Sequence, residues 1–146
     1  MAKVLIVYHS QGGNTRKAAE LVAEGVRSVA MGEAILKPAS EAGIDELVAC
    51  DAIAIGTPDY FSYMAGMVKD FFDRTFHQAQ QRQLGSKPCG VFVTHGGGGK
   101  AVQSVNDLCR SFKFRAVAEP VLVQNSPDAK AADALRNLGQ QLAKSS

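Results

Sequence analysis

The amino-acid sequence predicts an α/β fold: three layers, in which a doubly wound five-stranded parallel sheet of order 2-1-3-4-5 lies between helices. Two observations predict it. Short apolar runs alternate with amphipathic stretches from one end of the chain to the other, which is the pattern of parallel strands joined by crossover helices. The chemically unusual loops follow the first, third and fourth apolar runs, where a doubly wound sheet gathers its ligand. Size agrees with both. With 146 residues, 46% of them hydrophobic, and no linker or low-complexity stretch, one domain with a real core is expected.

Val4 to Tyr8 is apolar at every position, as a central parallel strand buried on both faces must be. Ser10 to Thr15 forms a loop, and a helix starts at Arg16, carries Ala18, Ala19, Val22, Val26 and Val29 at helical spacing, and ends near Gly32. Glu33 to Lys37 is a second strand stopped by Pro38, and its polar ends place it at a sheet edge. Ser40 to Val48 reads as a short helix or turn, and Asp51 to Gly56 as the third strand. After a loop from Thr57 to Tyr63, the residues Met64, Met67, Val68, Phe71, Phe72 and Phe76 draw a wide apolar stripe on a helix whose polar tail, Gln78 to Gln83, overhangs into solvent. Cys89 to Thr94 is the fourth strand, His95 to Gly99 a glycine loop, and Ala101 to Phe112 the next helix. Val117 to Val123 is the fifth strand. Pro120 within it demands an edge position or a bulge, because proline has no N–H to give the ladder. Ser126-Pro127-Asp128 predicts a helix start with Pro127 at the first helical position, followed by the stripe Ala132, Leu135, Leu138 and Leu142.

Composition removes several classes of function. The net charge is +2 and no run of basic residues occurs, so no nucleic-acid footprint is present. No apolar run reaches the length needed to span a membrane, and the first residues lead straight into a strand without signal-peptide anatomy; a cytoplasmic location is expected. Cys50, Cys89 and Cys109 are odd in number, lack C-x-x-C spacing and lie in or beside apolar segments, so buried free thiols are expected and a disulfide framework or zinc site is not. A Walker A loop fails at Gly99-Lys100-Ala101, where a hydroxyl residue should follow the lysine. A phosphorylated receiver domain needs paired acids after strand 1 and an aspartate ending strand 3, and neither Tyr8-His9-Ser10 nor Ile55-Gly56-Thr57 supplies them.

Three loops carry the remaining chemistry. Ser10-Gln11-Gly12-Gly13-Asn14-Thr15 sits between a strand and a helix start, where unpaired N–H groups and the helix dipole favour an anion and glycines let it come close. A phosphate monoester suits it; a plain glycine turn with an N-cap is the other reading. Thr57-Pro58-Asp59-Tyr60-Phe61-Ser62-Tyr63 presents aromatics in a short loop, which a flat heterocycle, a neighbouring loop or a subunit contact would cover; self-association into a homo-oligomer is among the expectations. Thr94-His95-Gly96-Gly97-Gly98-Gly99 exposes bare backbone along which a heteroaromatic edge could lie, or is simply a flexible loop. The loops after strands 2 and 5 show no comparable cluster.

At these residues the chain resembles the flavodoxin-like superfamily over nearly its whole length. Ser10-Gln11-Gly12-Gly13-Asn14-Thr15 is similar to its [ST]-x-[ST]-G-x-[ST] phosphate loop, with Gly12 standing where the middle hydroxyl residue would be. Gly56-Thr57-Pro58-Asp59-Tyr60-Phe61 is similar to the G-[ST]-P-x-[YF] segment of FMN reductases and flavodoxin-like NAD(P)H:quinone oxidoreductases, and Thr94-His95-Gly96-Gly97-Gly98 to their glycine loop. The resemblance implies FMN as cofactor. It implies that Ser10, Gln11, Gly12, Gly13, Asn14 and Thr15 hold the phosphate, that Thr57, Pro58, Asp59, Tyr60 and Phe61 flank the ring on one side, and that Thr94, His95, Gly96, Gly97 and Gly98 flank it on the other. His95 is the candidate proton donor, or else a loop histidine bonded to backbone. The implied partners are NAD(P)H and a quinone-like acceptor, or a redox partner protein if the chain is an electron carrier. Electron-carrying flavodoxins are usually acidic and often place a tryptophan over the flavin, whereas this chain has a pI near 8.5 and no tryptophan. A flavodoxin-like module that binds or senses without turnover is the alternative.

Overall fold

The computed structural model describes residues 2–146. The strands and helices follow the expected alternation. β1 (Ala2–Tyr8), α1 (Asn14–Arg27), β2 (Gly32–Pro38), α2 (Ile44–Ala49), β3 (Ala52–Pro58), α3 (Gly66–Gln81) and β4 (Pro88–His95) are followed by α4 (Ala101–Ser111), β5 (Arg115–Ala116), β6 (Val121–Gln124) and α5 (Ala129–Lys144). The sheet is parallel throughout, in the order β2-β1-β3-β4, with β5 and β6 both paired to β4 at the far edge.

Alternation along the strands builds the two faces. Leu5, Val7, Ile53, Ile55, Val91 and Val93 point to one side, where Leu47 of α2, Val68, Phe71 and Phe72 of α3, and Val105 and Phe112 beside them close the core. Val4, Ile6, Ala52, Ala54 and Phe92 point to the other, against Val22 and Val26 of α1 and Leu135, Leu138 and Leu142 of α5. On this second face α1 and α5 touch backbone to backbone. A side chain at Gly25 would overlap the carbonyl of Arg136, and one at Gly139 would overlap the carbonyl of Val22.

Four expectations need correction. In place of the predicted fifth strand, Val117 to Val123, the chain has two short pieces, β5 before that range and β6 in its second half: Ala118 to Pro120 lies outside the sheet, where Pro120 has no N–H to give β4, and pairing resumes at Val121. Helix α1 ends at Arg27 and not near Gly32; Val29 lies in the turn that follows, which Met31 closes with a φ of 66°. Pro127 does not begin a helix. Asp128 is the N-cap, and its carboxylate accepts the Ala131 N–H at 2.8 Å. The tail of α3 does not wholly overhang, since Ala79 is buried in the core. The three cysteines are free and buried, as expected.

Candidate functional site

A cavity of about 360 Å³ opens at the carboxyl ends of β1, β3, β4 and β6. Ser10, Gln11, Gly12, Asn14 and Thr15 line one wall, Pro58, Asp59 and Tyr60 a second, and Thr94, His95, Gly96 and Asn125 the third. All three loops singled out in the sequence therefore meet here. Cavities of similar size elsewhere, such as one of about 360 Å³ between the end of α3 and Lys113, lie away from this strand-to-helix junction.

The first wall is the start of α1. Gly13 takes a φ of 102°, which only glycine adopts freely, and turns the chain into the helix. The first intrahelical bond runs from Lys17 N–H to the Gly13 carbonyl at 3.0 Å, so the N–H groups of Asn14, Thr15 and Arg16 precede the ladder, and no side chain caps them. Ser10 Oγ accepts the Gly13 N–H at 3.1 Å, which shapes the turn and leaves the serine proton free to point outward. No acidic residue occupies the first turn of α1, and Arg16 pairs with Glu20 at 3.3 Å on the helix surface. Thr15 Oγ1 lies 2.7 Å from Thr94 Oγ1, both buried, so one hydroxyl donates to the other and the pair still carries one unspent proton. This bond ties the first loop to the third.

The second wall is stiff for a loop. Tyr60 and Tyr63 exchange both backbone hydrogen bonds, at 3.0 and 3.1 Å, around Phe61 and Ser62, whose φ values are 59° and 62°. That is a two-residue hairpin of the type I′ class built without glycine, a conformation that costs about 1–2 kcal/mol per residue. Asp59 locks it: one carboxylate oxygen accepts Ser62 N–H at 2.8 Å and the other Ala101 N–H at 3.2 Å, capping α4 from a different loop. Thr57 is fully buried, donating to the Pro58 carbonyl at 2.8 Å and accepting the Ala65 N–H at 2.9 Å. Tyr60 OH donates to Gln11 Oε1 at 3.0 Å, joining the second loop to the first.

The third wall holds the one buried side-chain nitrogen or oxygen without a partner among the described residues, His95 Nδ1. Leaving such an atom unpaired costs about 1–3 kcal/mol. Asn125 is a wall residue that sequence reasoning missed. It ends β6 with a φ of 61°, and its N–H donates to the His95 carbonyl at 2.8 Å. The only cue was an asparagine just past an apolar run, a residue type that tolerates the left-handed region.

Five of the expected residues do not line the cavity: Gly13, Thr57, Phe61, Gly97 and Gly98. Gly13 and Thr57 act from behind the wall, as described. Phe61 is fully exposed at the hairpin tip, at 102% of its reference area. Gly97 and Gly98 extend past the rim, with open space where side chains would be.

The family described as NADPH-dependent FMN reductase matches residues 30–128. A flavodoxin of Aquifex aeolicus is 35% identical, over 78% of this chain and 62% of its own length. An NAD(P)H dehydrogenase (quinone) of Geobacter sulfurreducens is 36% identical, over 64% of this chain and 60% of its own. The chain thus spans about 60% of the length of the curated relatives it matches. Among solved structures, a flavodoxin from the domain Archaea superposes with a TM-score of 0.87 at 25% identity, covering 98% of this chain and 97% of that one.

Proposed function

The chain belongs to the NADPH-dependent FMN reductase family, and on that premise we propose that it holds FMN in the cavity at the carboxyl ends of β1, β3 and β4 and passes electrons from NAD(P)H to a quinone-like acceptor. The observation that carries this reading is the uncapped start of α1: backbone N–H groups facing a cavity whose only lining carboxylate, Asp59, is already engaged by two backbone donors. A phosphate monoester supplies the missing acceptors. The glycines agree with it, since a side chain at Gly12, Gly96 or Gly97 would meet nothing within 4 Å and the backbone stands bare to a ligand.

When bound, FMN supplies the redox chemistry. The residues of this chain position it. Ser10, Asn14 and Thr15 present donors to the phosphate, and Thr94 fixes the orientation of the Thr15 hydroxyl. Pro58 and Tyr60, held by Asp59 and Thr57, would flank the ring from the second loop, and Gly96 and Asn125 would flank it from the third wall. His95 would bring to the ligand a ring nitrogen that has no partner within the described residues.

The test is direct. The purified protein should be yellow, release FMN and not FAD on denaturation, and oxidise NADPH or NADH catalytically when a quinone is added. Colourless protein that takes up no FMN rejects the cofactor assignment. FMN binding without turnover, with reduction only by a separate flavoprotein, favours a second reading as an electron carrier. The near end-to-end match with the archaeal flavodoxin supports that second reading; the net charge of +2 argues against it. No observation favours a module without redox work.

A further inference from the structure

We propose that Cys89 and Cys109 form a redox-modification site, a dithiol that a small hydroperoxide closes to a disulfide joining β4 to α4. Their sulfurs lie 3.5 Å apart, on elements packed face to face, and the residues are 20 apart in sequence. Closure to a bond of roughly 2.05 Å needs only a small movement of the two side chains toward each other. The third thiol, Cys50, donates to the Leu47 carbonyl at 3.3 Å and has no thiol partner.

The broken edge strand gives the pair its access. β5 pairs with Pro88 and Cys89, and β6 resumes at Phe92, so Gly90 and Val91 have no neighbouring strand on that side. The segment from Ala118 to Pro120 bows outward over this gap and encloses a cavity of about 330 Å³ whose wall includes both cysteines. Pro120 and the two thiols, unrelated features in the sequence, thus meet at one place. The cavity has room for hydrogen peroxide. Cys109 is the more exposed residue of the two, at 8% against 2% for Cys89, and so meets the peroxide first. The hydrogen bond with Cys109, and after it burial, push the Cys89 thiol up, so Cys89 stays protonated until the second step.

The chemistry balances as follows. The Cys109 thiolate attacks one peroxide oxygen, the O–O bond breaks, and the departing hydroxide leaves as water, giving a sulfenic acid. Cys89 sulfur then attacks that sulfur, the S–O bond breaks, the Cys89 proton leaves with the hydroxide as a second water, and the S–S bond forms. Two thiols lose two electrons and one peroxide gains them.

The test treats the FMN-loaded protein with hydrogen peroxide in the dark and reads intact mass and peptide maps without reductant. A loss of about 2 Da, with a linked Cys89–Cys109 peptide and reversal by dithiothreitol, is expected. The linked form should melt about 5–10 °C higher, since a closed loop of this length restricts the unfolded chain. Cys109→Ser and Cys89→Ala should each abolish the mass loss, and Cys50→Ser should retain it. Unchanged mass, oxygen adducts on single cysteines without a link, or a link through Cys50 each overturn the proposal. The wild-type peptide map decides this even where a variant fails to fold.

Discussion

Helices α1 and α5 lie side by side on the same face of the sheet and both follow a strand, yet their first turns are finished differently. At α5 the chain supplies its own acceptor: Asp128 takes the Ala131 N–H at 2.8 Å. At α1 it withholds one. Gly13 stands at the N-cap with a φ of 102°, no side chain caps the first turn, and no acidic residue lies within it. With glycine at the N-cap, doing without a side-chain cap costs about a few tenths of a kcal/mol. That difference agrees with the proposal that the first turn of α1 is reserved for an acceptor from outside the chain, although α3 also starts without a side-chain cap. Helix α4 makes the same point from a third position, since Asp59 reaches across from another loop to cap it.

The contrast can be broken most severely by putting a carboxylate into the reserved position. Gly12 has ordinary backbone geometry and open space around it, so Gly12→Asp should leave the melting temperature of the flavin-free protein unchanged within about 1 °C. It should weaken FMN binding by about 100-fold, roughly 2.7 kcal/mol, as followed by flavin fluorescence. Unaltered affinity would move the phosphate elsewhere. Next in size is Thr15→Val. It strands the buried Thr94 hydroxyl, should lower stability by about 1–2 kcal/mol in urea unfolding, and should weaken FMN by roughly tenfold. Asp128→Ala tests the capped end. It should cost about 1 kcal/mol, or some 2–4 °C in melting temperature, with FMN affinity constant within about twofold. The smallest effect belongs to Gly12→Ser, which restores a hydroxyl that the related loops carry; calorimetry should find FMN affinity equal or up to about threefold tighter. Added FMN at about 100 times its Kd should stabilise the unmodified protein by about 2.7 kcal/mol.

Most of the architecture was legible because burial on two faces leaves a plain signature. Val4 to Val7 and Ile53 to Ile55 could be little else than interior parallel strands, and the positions of the unusual loops agreed with the order 2-1-3-4-5 expected of a doubly wound sheet. Pro120 was legible as a disturbance but not as a gap, since whether a strand bulges or splits depends on what the partner strand does. The meeting of the three loops at one cavity was read in outline. Glycines and hydroxyls beside a helix start announce an anion; nothing in Phe61-Ser62 announces a tight hairpin, because that pair lacks the glycine or asparagine such turns favour and is held by Asp59 from outside. Asn125 escaped for a similar reason: its place in the wall is set by β6 returning beside β4, a tertiary fact with no local mark. Thr57, expected beside the ring, is buried with its hydroxyl engaged by two backbone partners, a bracing role that no local pattern reveals.

The glycine seam between α1 and α5 has a mechanical corollary. With no side chains to act as a cushion at Gly25 and Gly139, the two rods are keyed together, and tilting one drags the other across the underside of the sheet. The first rod, whose start forms one wall of the cavity, is therefore anchored like a bench vice with a fixed jaw. The glycine loop at Gly96 and Gly97, with open space around it, stands free of that keying and is where the pocket has room to adjust.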